Sequence, residues 1–236
     1  MFTKEDVVKV LDELKKSYPC FVSEAHFQMM FAIEAKNQKK DKFEFYPEFP
    51  IEKDHIDLMI VDCSNKERTL IEFKYKTKNT ISGEKLSFIL PPGVEVTPSN
   101  MGARPIAKYD CWKDIERLER FVGEKECSNG FFIFLTNDSL YWKEKRESEA
   151  YGNDFSMEEG NHECETKKWK DRDDIENIVG KGRMKHIENR AYKDENSFKY
   201  LNYSMLKKSF GEKELGCCEF KVLIVDVENQ NDFAIS

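Results

Sequence analysis

Three charged residues lie inside two segments whose patterns predict β-strands. Asp57 stands near the start of the apolar run 56–62, and Glu72 and Lys74 lie in the run 69–76, after a short polar break. Because strand side chains alternate between two faces, Glu72, Lys74 and Lys76 should share one face. Charges in the middle of an apolar strand are costly to bury unless something needs them there. A divalent metal ion and a phosphate would supply that need.

Asp57 and Glu72 are the candidate metal ligands. Mg²⁺ prefers oxygen donors and usually takes one or two carboxylates while keeping several waters, so Mg²⁺ is the expected cofactor, with Mn²⁺ as a substitute. Lys74 lies roughly 6.6 Å from Glu72 along the same face, from the rise per residue of a strand. At that distance its ammonium could position an attacking water or offset the charge of a phosphate.

The Glu-x-Lys tripeptide has little value as evidence by itself, because it occurs five times in the chain. The five copies begin at Glu13, Glu34, Glu72, Glu165 and Glu219. Only the copy at Glu72 follows an acid-bearing predicted strand at hairpin distance. The copy at Glu219 also opens an apolar strand, but no strand with a terminal Asp precedes it. The order of the charged residues, rather than the tripeptide, therefore indicates a site.

Composition limits the class of protein. The chain has 236 residues, of which 39% are hydrophobic and 13% aromatic, which predicts one packed domain over 1–236. A net charge of −7 excludes a uniformly basic nucleic-acid coat, although the local field at a cleft could still attract DNA. Seven cysteines without a CxxC pair, no signal-peptide pattern and no apolar run of about 20 residues predict a cytoplasmic protein without a membrane span.

Helix signals mark the start of the chain. Thr3 and Asp6 have the spacing of a capping box, and Pro19 predicts that the first helix ends near Tyr18. Ser23 is the expected N-cap of a second helix that reaches residue 36. The segment 43–50 looks extended, and its two prolines restrict it to an edge strand or a linker.

The second half alternates between strong patterns and a polar stretch. We predict a helix over 109–122, buried strands over 131–135 and 219–227, and a short helix over 200–210. Charged residues dominate from 142 to about 195, which indicates a polar insertion or a mobile lid. The expected fold class is α/β, with a mixed central β-sheet flanked by helices.

The order of these elements and acids resembles the PD-(D/E)xK nuclease superfamily, which has the restriction-endonuclease-like fold. The matching residues are Glu24 in the helix, Asp57 in His55-Ile56-Asp57, and the tripeptide Glu72-Phe73-Lys74. The resemblance covers residues 20–138, including the predicted helix 109–122 and the strand that follows it. The chain departs from the motif at the proline that names it, since Ile56 stands there.

The resemblance implies a Mg²⁺-dependent DNA endonuclease that hydrolyses phosphodiester bonds. Asp57, Glu72 and the Phe73 carbonyl would be metal ligands, Lys74 would be the catalytic lysine, and Glu24 would reach the metal through a water. A role in restriction or in defence against foreign DNA follows by family analogy. Cleavage of both strands would favour a homodimer.

Several basic residues are candidate contacts for DNA phosphates. Two lie at the end of the hairpin or just after it, two precede the predicted helix 109–122, and the rest belong to a basic tract in the polar insertion. They are Lys76, Lys78, Arg104, Lys108, Lys181, Arg183, Lys185 and Arg190.

Simpler interpretations apply to each group taken alone. Asp57 could be a solvated acid at a strand entry, and Glu72 with Lys74 could form an exposed cross-strand ion pair. Glu24 could simply favour the N-terminus of its helix, and Gln28 is a weaker candidate for the site. The basic tract could be a solvated face.

A second charged group lies in the predicted helix 109–122. Asp110, Asp114 and Arg117 are expected to form a charge network on the helix surface.

Two rival functions stay open at the sequence level. The first is a non-catalytic nucleic-acid-binding or assembly protein that retains the nuclease fold, which the acidic total favours. The second is a metal-dependent enzyme that acts on RNA or on a nucleotide.

Overall fold

The structure is a computed structural model, and its described residues cover most of the chain. They are 1–78, 80–81, 84–85, 88–90, 93–96, 103–124, 127–143, 152–161, 166–170, 173–188, 197–210 and 213–228.

Two capped helices open the chain, as the sequence predicts. Helix α1 spans Lys4–Ser17 and begins with the predicted capping box, in which the Thr3 hydroxyl accepts from the Asp6 amide and the Asp6 carboxylate accepts from the Thr3 amide. Its C-cap is Tyr18, directly before Pro19. Helix α2 spans Glu24–Lys39, and the side chain of its N-cap, Ser23, accepts from the His26 amide. Local capping chemistry therefore sets the boundaries of both helices.

A six-stranded mixed sheet forms the centre of the fold. Its strands are β1 (Phe43–Ile51), β2 (Asp54–Asp62), β3 (Arg68–Lys76), β4 (Asn129–Thr136), β5 (Tyr200–Phe210) and β6 (Lys213–Glu228). The spatial order is β1-β2-β3-β4-β6-β5, and every neighbouring pair is antiparallel except β3 and β4. Helix α3 (Arg104–Glu124) lies between those two parallel strands in the chain, as a crossover connection requires. The predicted α/β class with a mixed sheet flanked by helices is confirmed.

The sheet separates two apolar cores. On one face, α1 and α2 pack against alternate residues of the central strands, such as Ile71, Phe73 and Tyr75. On the other face, α3 packs against Leu70, Phe132 and Phe134. Odd-numbered residues of β3 therefore line one core, and its even-numbered residues face α3.

Shorter elements complete the described chain. They are the paired strands Thr80–Ile81 with Glu84–Lys85, Phe88–Leu90 with Val94–Val96, Gly160–Asn161 with Ser197–Phe198, and Thr166–Lys167 with Ile187–Glu188, the helix α4 (Ile175–Val179), and three single 3₁₀ turns at Lys40–Lys42, Asn153–Phe155 and Lys181–Arg183.

The described part of the predicted insertion adds to the core beside α3. Its buried side chains include Phe155, Trp169, Ile175 and Ile187. Apolar residues are sparse in this segment, but most of the large ones among its described residues pack inward.

The predicted helix over 200–210 is wrong, because this segment is the edge strand β5, antiparallel to β6. Tyr203 and Leu206, three residues apart, both pack against the core of α1 and α2. A register shift between Asn202 and Ser204 inserts an extra residue, which is the signature of a β-bulge. The bulge converts the two-residue period of a strand into a spacing that resembles a helix.

Within the described ranges, no helix is both long enough and apolar enough to span a membrane.

Candidate active site

Glu72 and Lys74 lie on the face of β3 that α3 covers. Glu72 is 1% exposed, and the Lys74 side chain is 15% exposed. The predicted alternation of β3 is confirmed, because Ile71, Phe73 and Tyr75 point into the opposite core. An exposed cross-strand ion pair on a solvent-facing hairpin is therefore excluded for these two residues.

The hairpin of β2 and β3 opens beyond Leu58 and Ile71, where their register of paired residues ends. In this gap the Asp57 side chain takes the place of a backbone acceptor from the paired strand, because its Oδ2 accepts a hydrogen bond from the Phe73 amide at 2.7 Å. The N–H and C=O of one strand residue project to the same edge, so the Phe73 carbonyl faces the same gap. Gln28 of α2 supplies a further hydrogen bond to the Asp57 carboxylate.

Glu24 reaches the same edge of β3 from the first turn of α2. Its Oε2 accepts the Tyr75 amide at 2.7 Å, and its Oε1 lies 3.7 Å from the Lys74 ammonium. Two carboxylates, from Asp57 and Glu24, therefore bond to alternate amides of one strand. Glu24, Asp57, Glu72 and Lys74, the four residues predicted as the site, lie around this one stretch of β3.

Helix α3 contributes two residues that the sequence prediction missed. The Lys74 ammonium lies 2.7 Å from Asp114 Oδ2. Arg117 Nε donates to Glu72 Oε1 at 2.8 Å, and its Nη2 lies 2.7 Å from the same oxygen. Arg117 Nη2 donates to Asp114 Oδ1 at 3.1 Å. The predicted surface network is wrong for Asp114 and Arg117, because both face β3. Asp110 instead pairs with Arg183 at 2.8 Å.

A sequence signal for Asp114 does exist. Cys111, Ile115 and Leu118 are buried in α3. Asp114 lies three residues after Cys111 and four residues before Leu118. That spacing places an acid in the apolar stripe of the helix, where it needs a partner across the interface.

Burial gives these groups unusual protonation behaviour. Burial raises the pKa of Glu72 well above its ordinary value, with further contributions from Asp57 and Asp114, while Arg117 opposes the shift. Burial also raises the pKa of Asp57 and Glu24. Burial alone would lower the pKa of Lys74, but Asp114 and Glu24 outweigh it and raise the pKa. Lys74 is therefore held as an ammonium.

The site carries an excess of negative charge when its acids are ionised. Four carboxyl groups (Glu24, Asp57, Glu72 and Asp114) lie around Lys74 and Arg117, and Lys76 also acts on Glu24. With every group ionised the site keeps a net negative charge, which a bound cation would offset.

The described side chains offer few grouped metal donors. No set of three or more His, Cys, Asp or Glu side chains that could hold a metal ion was found in the described part of the chain. Asp57 and the Phe73 carbonyl are oxygen donors at the gap, and Asp57 is close enough to Glu72 to act on it electrostatically. Mg²⁺ commonly uses no more than two carboxylates. Both nitrogens of Arg117 that contact Glu72 lie against Oε1. These two contacts between described residues do not involve Glu72 Oε2.

The predicted DNA contacts occupy different environments. Lys76, the last residue of β3, and Lys78, which follows it, are half-buried. Lys181 and Lys185 are exposed. Arg104 and Arg183 are ion-paired, with Asp138 at 2.5 Å and with Asp110. Arg190 lies outside the described residues.

The predicted contact between Lys108 and DNA is wrong. Lys108 is 8% exposed, and its ammonium lies 5.8 Å from the centre of the Tyr141 ring. A buried ammonium on an aromatic face is poorly placed to contact a phosphate, so Lys108 is removed from the predicted contacts.

Comparisons with protein-family models, with curated proteins and with solved structures found no match to this chain. The functional assignment therefore depends on the side chains described above.

Proposed function

We propose that this chain is a Mg²⁺-dependent DNA endonuclease with a restriction-endonuclease-like fold. One observation supports this most directly: Glu24, Asp57, Glu72 and Lys74, from α2, β2 and β3, lie around one stretch of β3. The order of strands and the α3 crossover between two parallel strands agree with the core that this fold class requires.

The donor set fits a hard divalent cation. Asp57 and Glu72 would bind it with the Phe73 carbonyl, and its charge would offset the net negative charge of the site. When bound, such a cation lowers the pKa of a coordinated water and neutralises charge on a phosphate oxygen. The acids with raised pKa favour the same ligand, because a cation would relieve the cost of ionising them together.

Lys74 acts as a fixed positive charge in this proposal. Asp114 and Glu24 hold its ammonium protonated, so it donates hydrogen bonds and does not serve as a general base. It would hold the attacking water or a phosphate oxygen, and an ammonium aimed at developing negative charge is the usual means of stabilising such a transition state. Asp114 fixes where that ammonium points, at 2.7 Å.

The DNA would lie across the open end of the hairpin. Lys76, Lys78 and Arg104 would contact phosphates near the site, and Lys181, Arg183 and Lys185 would contact them farther away. A function in restriction or defence, and a homodimer for cutting both strands, belong to the same proposal.

The test is cleavage of plasmid DNA with Mg²⁺ by the wild type and by Glu72→Gln and Lys74→Ala variants. Each variant should lose about a hundredfold or more of the activity, as when one transition-state contact is removed. Glu219→Gln is the matched control, since Glu219 belongs to the Glu-x-Lys copy on β6, with its side chain 38% exposed. That control should cleave like the wild type.

Other results would favour other functions. Failure of the wild type to cleave any DNA, together with no Mg²⁺ or Mn²⁺ binding by calorimetry, would overturn the proposal. DNA binding without cleavage would favour the non-catalytic alternative, and preferential cleavage of RNA would favour an RNA-directed enzyme.

A further inference from the structure

The pair formed by Arg117 and Glu72 is the least expected feature of the site. Two nitrogens of the guanidinium contact the same carboxylate oxygen, at 2.8 and 2.7 Å. Glu72 is also a proposed metal ligand. Without a metal, its negative charge is therefore balanced by the Arg117 guanidinium.

The two partners differ in their access to solvent. The Glu72 side chain is 1% exposed, whereas the Arg117 side chain is 28% exposed. Water cannot solvate the charge of the Glu72 carboxylate, because the side chain is packed on all sides. The guanidinium, by contrast, reaches the surface and could move without leaving a buried charge behind.

Asp114 provides a second partner for the guanidinium. It lies three residues earlier on α3, and its Oδ1 is 3.1 Å from Arg117 Nη2. Arg117 can therefore release Glu72 and still hold a carboxylate of its own helix.

On the basis of the proposed function, we infer that Arg117 is an internal counter-ion which competes with the divalent cation for Glu72. In the metal-free protein the guanidinium compensates the buried carboxylate. When the cation binds, Arg117 gives up part or all of that contact and keeps Asp114. Arg117 is thus a positioning residue that sets metal affinity and keeps the empty site stable.

Removal of a competitor should strengthen metal binding. In Arg117→Gln the buried Glu72 carboxylate lacks its main compensating charge, so the cation gains more by binding. We expect Mn²⁺ to bind about tenfold more tightly, since a hydrogen bond to a charged group corresponds to roughly one order of magnitude in affinity. A merely structural role would not produce this gain, because a damaged site binds metal more weakly.

The experiment is calorimetric titration of Mn²⁺ into the full chain, with thermal unfolding measured at each metal concentration. Arg120→Gln is the matched control. It removes one arginine from the same helix, but Arg120 pairs with Asp54 at 3.0 Å on the surface, with both side chains nearly half exposed. Its metal affinity should equal that of the wild type. Arg117→Lys keeps the charge but not the two-nitrogen contact, and it should bind with intermediate affinity.

Each outcome decides something. Tighter binding by Arg117→Gln, with Arg120→Gln unchanged, supports the inference. Equal or weaker binding by Arg117→Gln, while the wild type binds and Glu72→Gln does not, overturns the inference and leaves the proposed metal site intact. If the wild type itself binds no Mn²⁺, the proposed function and this inference both fail. If Arg117→Gln does not fold, Arg117→Lys decides the question by the same comparison with the wild type.

Discussion

Single carboxylates in this protein differ because their surroundings differ. Hydrogen bonds from Ser64 and from the N-terminal ammonium hold the pKa of Asp62 below its ordinary value. Burial raises the pKa of Asp226 to about 6, with contributions from Glu228 and Glu5, while Lys4 opposes the shift. The same residue type therefore serves as a stabilising anion in one place and as a costly buried charge in another.

Asp226 leads to a prediction about the pH dependence of stability. Its folded pKa lies above the unfolded value, so the native state binds the proton more tightly, and this contribution falls as pH rises from about 4 to about 6. Asp226→Asn should therefore be more stable than the wild type above about pH 6, by roughly 1 kcal/mol for a partly solvated group. Near pH 4 the two proteins should be alike.

Urea unfolding at several pH values checks this prediction. Glu219→Gln on the same strand removes an equal charge from a half-exposed position and should not change the pH profile. A stability difference between Asp226→Asn and the wild type that stays constant from about pH 4 to about pH 7 would contradict the assignment.

Helix α3 has two functions among the elements. It covers one face of the sheet, and it delivers Asp114 and Arg117 to the charged face of β3. Its distance from the sheet therefore sets the geometry of the site. Gly130 of β4 lies at a close contact between α3 and the sheet, because a Cβ built there would lie 2.9 Å from two carbons of the Leu118 side chain.

Gly130→Ala should push α3 away from the sheet. Overpacking of this kind costs about 1–3 kcal/mol, which should appear as a lower midpoint of urea unfolding. Gly123→Ala is the matched control, since a Cβ there meets nothing within 4 Å. In a helix that change should be neutral or stabilise by up to about 1 kcal/mol. Equal midpoints for the two variants would show that the contact of Gly130 with Leu118 is not tight.

At the scale of the whole molecule, the second core joins distant parts of the chain. Trp169 stacks on Tyr109 of α3 with ring centres 5.3 Å apart, and its Nε1 donates to the Arg183 carbonyl at 2.7 Å. Its side chain is 5% exposed. The polar segment is thus anchored to the same helix that completes the candidate site.

We therefore expect this segment to unfold together with the sheet. Trp169→Ala should lower the free energy of unfolding by about 3–5 kcal/mol in one cooperative transition. Ile178→Ala in α4 is the control within the segment, because Ile178 is 36% exposed, and it should change stability by no more than about 0.5 kcal/mol. Far-ultraviolet circular dichroism and tryptophan fluorescence during denaturation provide the measurement. Two separate transitions, with the main one unchanged by Trp169→Ala, would refute the expectation.

The amino-acid sequence determined the features that depend on neighbouring residues. The caps at Thr3 and Ser23, the end of α1 before Pro19 and the alternation of β3 all follow from contacts within a few positions. Such local contacts do not depend on how the rest of the chain folds. The grouping of Glu24, Asp57, Glu72 and Lys74 did not follow from such local contacts; it was predicted from the resemblance of their order to that of the PD-(D/E)xK superfamily.

Only the tertiary structure decided what depends on distant partners. The pairing that makes β5 a strand forms against β6, and Lys108 is buried beside Tyr141. Arg117 and Glu72 lie 45 positions apart in the chain, and they meet only because the crossover between parallel strands lays α3 over β3. Local patterns cannot encode such a pairing, since the attraction between the two groups becomes strong only where the packing of α3 on β3 excludes water.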